Sequence, residues 1–100
     1  MADVLDIETI SDAVAQAADA VDIKRAFLFG SYARGEASEQ SDIDICVEAG
    51  PLFSLFSAGA FANDIETAVG KQVDLVSEKS LFPHARKMMN RDKVLIYERS

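Results

Sequence analysis

The chain has 100 residues, 49% of them hydrophobic and 27% charged, with a formal net charge of -7. That length supports one small core, burying roughly 60–65% of the unfolded surface, and the composition is globular rather than disordered. The negative charge argues against long DNA or RNA as a partner, and no apolar stretch reaches the ~18 residues that a membrane span needs.

The predicted elements alternate along the chain. Ile7, Ile10, Val14, Ala17 and Val21 recur at helical spacing, which predicts a first helix over Val4 to Ala20. Residues 1–22 hold six acids and no base, and acids favour the start of a helix. "IKRAFLF", 23–29, reads as a strand stopped at Gly30. Ser31 to Glu36 has room for one or two helical turns, and Glu36 to Gln40 reads as a loop. "DIDICV", 42–47, reads as a second strand, broken by "AGP" at 49–51. Pro51 to Val69 reads as a second long helix with Leu52, Phe56, Phe61, Ile65 and Val69 as its apolar stripe, and Gly70 as its cap. "QVDLV", 72–76, is a third strand. Pro83 suits the opening of a helix that runs to Asn90, and "KVLIY", 93–97, is a fourth strand at the edge or the end. The pattern predicts an α/β (α+β) fold: a small mixed sheet of about four strands covered by helices, in a single domain spanning 1–100.

Charge is uneven. Residues 79–99 carry six bases against Asp92 and Glu98. This basic tail is either a solvated face or a surface for an anion or an acidic partner. The lone Cys46 excludes an internal disulfide, and the first ten residues carry three acids and no base, unlike a secretory leader. Both point to a reducing, cytoplasmic setting.

Three aspartates occupy strand positions. Alternation puts Asp42 and Asp44 on one strand face, about 6–7 Å apart, with Ile43, Ile45 and Val47 on the other. A register slip of one residue would bury both acids, so the apolar set fixes their orientation. Asp74 lies between Val73 and Leu75 and points away from the core by the same logic. If the third strand lies beside the second, the three carboxylates converge. Crowded carboxylates repel and raise one another's pKa. A hard cation such as Mg²⁺ relieves this, using carboxylates, waters and substrate phosphates as ligands. His84 is alone and Cys46 is expected to face the core, which excludes a zinc site. Taken singly, an Asp-x-Asp pair is more often a cap or turn residue followed by a solvated strand residue.

Gly30 and Ser31 change that reading. A glycine after a strand lets backbone approach a ligand, and the unpaired amides that open the next turn favour an anion. The pattern is not a Walker loop, because no Gly-Lys-Ser/Thr follows. Arg34 lies one turn on, within reach of a phosphate oxygen or of Glu36 or Glu39. A phosphate cradle beside three carboxylates fits a nucleoside triphosphate with two metal ions, poised for in-line attack at phosphorus.

"GSYARGEASEQSDIDICV" resembles the Gly-Ser-x10-Asp-x-Asp signature of the nucleotidyltransferase superfamily related to DNA polymerase β. Gly30 and Ser31 match its opening pair, and the ten residues Tyr32 to Ser41 precede Asp42 and Asp44. "VDLV" matches the later strand with the third carboxylate, Asp74. The short length and Ala-Arg-Gly at 33–35 are most similar to the minimal nucleotidyltransferases (MNT domains). The resemblance implies a palm-like fold and Mg²⁺-dependent transfer of AMP from ATP to a hydroxyl. It implies that Gly30 and Ser31 hold the triphosphate, that Asp42 and Asp44 bind both metals, and that Asp74 binds the catalytic metal and helps deprotonate the acceptor. It also implies an antitoxin paired with a HEPN ribonuclease toxin, some of which are adenylylated on tyrosine. With no second domain to hold another acceptor, a partner protein is expected to bring the hydroxyl. Phe53, Phe56, Phe61 and "LFPHARKMM", 81–89, are either docking surface or core. An idle antitoxin acting by contact, and a small-molecule nucleotidyltransferase, are the alternatives.

Overall fold

The computed structural model describes residues 4–77 and 91–99. Among the described residues the elements run α1 (Ile7–Ala18), β1 (Ile23–Phe29), α2 (Gly30–Arg34), β2 (Ile43–Ala49), α3 (Leu55–Val69), β3 (Val73–Ser77) and β4 (Val94–Glu98). The strands form one mixed sheet in the order β3-β2-β1-β4. β1 is antiparallel to both β2 and β4, whereas β2 and β3 run parallel. A parallel pair needs a crossover, and α3 supplies it.

The core is built from α1, α3 and one face of the sheet. Ile10, Val14 and Ala17 of α1 are buried with Ala26 and Leu28 of β1, Ile43, Ile45 and Val47 of β2, and Phe61 and Ile65 of α3. In β2 the alternation places its isoleucines and Val47 inward, as the sequence pattern predicts. Cys46 departs from expectation. It is fully buried, yet it lies outside that core cluster and shares a strand face with Asp44.

Several element ends differ from the sequence reading for local reasons. α1 begins at Ile7, not Val4, because the Asp6 carboxylate accepts the Thr9 amide at 2.8 Å and caps the helix there. Ile7 is consequently 39% exposed, and Val21 falls beyond the helix end. α3 begins at Leu55, not Pro51, because Ser54 caps it through the Ser57 amide at 3.2 Å. Leu52 and Phe56, read as part of this helix's apolar stripe with Phe56 either docking surface or core, are 81% and 92% exposed. α2 spans Gly30–Arg34 rather than 31–36, since Gly35 ends it at φ 71°. β2 starts at Ile43, one residue after the predicted Asp42, and β3 and β4 each lie one residue further along the chain than predicted. The predicted helix Pro83 to Asn90, His84 and the 81–89 segment lie outside the described residues.

Candidate active site

β1 ends at Phe29, and the chain turns at once into α2 through Gly30, whose φ of 71° is a left-handed conformation suited to glycine. Tyr32 anchors this short helix. Its ring is buried and its hydroxyl accepts the Leu5 amide at 3.4 Å. The loop that follows is tied to itself, with the Ser38 amide donating to Ser41 Oγ at 2.9 Å. Lys71, beyond α3, pins the same loop by donating to the Glu39 carbonyl at 2.7 Å.

Sheet register brings the signature residues to one end of the molecule. Phe29 pairs with Asp44 across β1–β2, so Gly30 lies beside that carboxylate. A Cβ at Gly30 would collide with the Asp44 carboxylate, so only glycine lets the bend approach it. Asp44 pairs directly with Asp74 across the parallel β2–β3 ladder. The Ile43 amide, between the two aspartates of the Asp-x-Asp pair, donates to the Gln72 carbonyl at 2.9 Å and locks that register. Asp42 immediately precedes β2 and is exposed, as is Asp74, whereas Asp44 is half-buried.

The electrostatics match this placement. Burial pushes the Asp44 carboxyl above its ordinary pKa; the charges of Asp74 and then Asp42 push it further, and Arg34 opposes them. None of the three carboxylates has a direct hydrogen bond or ion pair among the described residues. Nor do any three His, Cys, Asp or Glu side chains among the described residues form a ready-made metal cage. Like charges on solvent-exposed side chains spread apart, so a shared strand face does not by itself gather their oxygens. The donor set remains all oxygen, carried on adjacent strands beside an amide-lined bend, which suits Mg²⁺ rather than zinc.

Arg34 does not point to an open anion site. Its Nε donates to Glu36 at 2.8 Å, and its Nη1 lies 3.9 Å from Asp92. Glu36 was a foreseen partner, whereas Asp92 is a long-range contact that nothing local in the sequence signals. Lys93 was read only as part of a basic tail. Its ammonium sits 4.2 Å from the centre of the Phe27 ring. The β1–β4 pairing, with Val94 opposite Leu28, places it at the same end of the sheet as Gly30.

The sequence profile of the family described as "Polymerase beta, Nucleotidyltransferase" matches residues 8–100. The chain belongs to that family, and it is a nucleotidyltransferase of the minimal type. It is similar to the protein adenylyltransferase MntA of Thermococcus cleftensis, with 39% identity over 69 residues, covering 69% of this chain and 70% of the relative. Its fold matches a solved structure provisionally described as a minimal nucleotidyltransferase, with TM-score 0.78 and 33% identity, covering 90% and 95% of the two chains. It also shares its fold with a chain from the complex of a tri-AMPylated Shewanella oneidensis HEPN toxin with an MNT antitoxin. That match has TM-score 0.70 and 20% identity, and covers 93% and 73% of the two chains. Among the described residues no helix is long and apolar enough to cross a membrane.

Proposed function

We propose that this chain, acting as one domain, transfers AMP from ATP to a hydroxyl of a partner protein and so serves as the antitoxin of a HEPN toxin. The observation that carries the chemistry is the direct pairing of Asp44 with Asp74, with Gly30 pressed against Asp44. The name of the Thermococcus relative and the AMPylated toxin in the Shewanella complex support a protein acceptor.

In this reading the backbone amides at Gly30 and Ser31, with the Ser31 hydroxyl, orient the triphosphate. Arg34 joins them by exchanging its Glu36 contact for a phosphate oxygen. Asp42, Asp44 and Asp74 hold Mg²⁺, which when bound neutralises charge on the phosphates. The acceptor oxygen attacks the α-phosphorus while the bond to the β-phosphate breaks, releasing pyrophosphate. The acceptor proton passes to Asp74. The protein's part is positioning and charge balance rather than covalent chemistry.

The test incubates the chain with Mg²⁺, α-labelled ATP and the HEPN partner. Label on the partner, absent with Asp42→Asn, supports the enzyme reading. Tight complex formation without label in either case replaces it with neutralisation by contact.

A further inference from the structure

One row of residues crosses the face of the sheet that carries the aspartates. Asp74 of β3 pairs with Asp44 of β2, and Asp44 pairs with Phe29 of β1. Leu28 pairs with Val94 across β1–β4, so one step further toward Gly30 the antiparallel register sets Lys93 beside Phe29. Packing fixes the face. Ala26 and Leu28 are buried in the core, which turns Phe27 and Phe29 to the other side with Asp44. Lys93 lies on that side too, its ammonium 4.2 Å from the centre of the Phe27 ring. The row therefore has acids at one end and a cation at the other. Strand spacing puts the Lys93 backbone about 9–10 Å from that of Asp44, two strands away.

We propose that Lys93 holds the end of the triphosphate remote from the α-phosphorus, and so makes the site prefer a nucleoside triphosphate to a monophosphate. This role deepens the reading of the site as an ATP-dependent transferase and rests on it. In that reading the α-phosphorus lies at the aspartates. Gly30 follows Phe29 directly, so the amide-lined bend lies between Asp44 and Lys93. A polyphosphate that starts at the aspartates and crosses the bend ends beside Lys93. A second contact holds this segment against the same bend: Nη1 of Arg34, in α2, lies 3.9 Å from Asp92.

The contact that seats Lys93 leaves it able to bind. Among the described residues Lys93 has no carboxylate partner. The Phe27 ring attracts the ammonium through its π face but neutralises none of its charge, and an ammonium has three donors to give. Arg34, by contrast, already donates to Glu36 at 2.8 Å. A chain with a net charge of -7 repels a free triphosphate. A fixed cation at the far end of the row offsets that repulsion where the aspartates and their Mg²⁺ do not reach.

Isothermal titration calorimetry on the full chain, with Mg²⁺ and either AMP or α,β-methylene-ATP, which cannot release pyrophosphate, tests this without turnover. The wild type should bind the triphosphate analogue more tightly than AMP. Lys93→Gln should weaken the analogue about tenfold, the size of a hydrogen bond to a charged group, and leave AMP unchanged. Lys93→Arg should restore most of the loss. An unchanged preference in Lys93→Gln overturns the proposal and leaves the ATP reading standing. Equal loss of both ligands also overturns it and assigns the lysine to packing on Phe27. A wild type that does not prefer the triphosphate overturns both the proposal and the reading beneath it.

Discussion

The two ends of this sheet treat acidic residues in opposite ways. At one end Arg25 donates to both Glu48 and Glu98 at 2.7 Å, across β1's two neighbours. Beside them Asp22 accepts from Arg99 and from the Leu52 amide, each at 2.7 Å. The hydrogen bond from Arg99, then that from Leu52, holds the Asp22 carboxyl below its ordinary pKa. At the other end burial, Asp74 and Asp42 push Asp44 up. Exposed ion pairs add little stability one by one. The difference teaches that the chain neutralises its own charge where the acids brace the sheet, and leaves it unbalanced where Asp44 faces Asp74.

The largest expected effect comes from removing that imbalance. Asp44→Asn should lower nucleotidyl transfer about 100-fold or more, since charge stabilisation at such a site is worth several kcal/mol. It should also raise the Tm of the metal-free protein at neutral pH. The folded-state pKa of Asp44 lies above its unfolded value, so the folded state binds more protons between the two. Stability therefore falls as pH rises through that window, and the deficit persists above it. Melting curves at pH 3 and pH 7 should show the gain only at the higher pH; no gain at pH 7 breaks the comparison.

Gly30→Ala comes next. A left-handed backbone costs a residue with a Cβ about 1–2 kcal/mol, and here the Cβ also meets Asp44. Transfer should fall at least tenfold and the Tm should drop, measured by label transfer and calorimetry. Asp22→Ala should move stability in the opposite direction from Asp44→Asn, lowering the Tm at neutral pH with transfer intact. Because the folded pKa of Asp22 is depressed, its contribution is present above the unfolded value near ~3.9 and vanishes as pH falls through the folded one. Wild type and variant should therefore converge in acid. The smallest effect is expected at Gly59, mid-helix in α3 with open space where a Cβ would point. Gly59→Ala should stabilise by about 0.5–1 kcal/mol in chemical denaturation.

Much of the fold was legible because it depends on local period. β1 has the bounds its apolar run predicts, and the alternation in β2 puts Ile43 and Ile45 inward and Asp44 outward. The Asp44–Asp74 pairing followed from that alternation once β3 lay beside β2, and the adjacency of these strands was the one condition the pattern left open. Helix starts were less legible, because a single serine or aspartate side chain decides them and the apolar period runs past it. Leu52 read as part of the apolar stripe, and Phe56 as either core or docking surface, for the same reason: period marks an apolar residue but not whether anything covers it. Arg34 read as a phosphate ligand with Glu36 or Glu39 as rivals, and Asp92 entered through a contact across the fold. The charge of the first 22 residues was visible in the sequence, but Asp22 alone of those acids has an arginine partner among the described residues.

The crossover through α3 has a consequence for the order in which the molecule comes to life. Gly30, Asp42 and Asp44 are all synthesised by residue 44, yet Asp74 reaches its neighbour only when the chain has looped out through a 15-residue helix and come back in parallel. Closing so long an excursion is slow compared with forming a hairpin. A nascent chain that has emerged only as far as α3 therefore displays Gly30, Asp42 and Asp44, and gains Asp74 opposite Asp44 only when β3 docks.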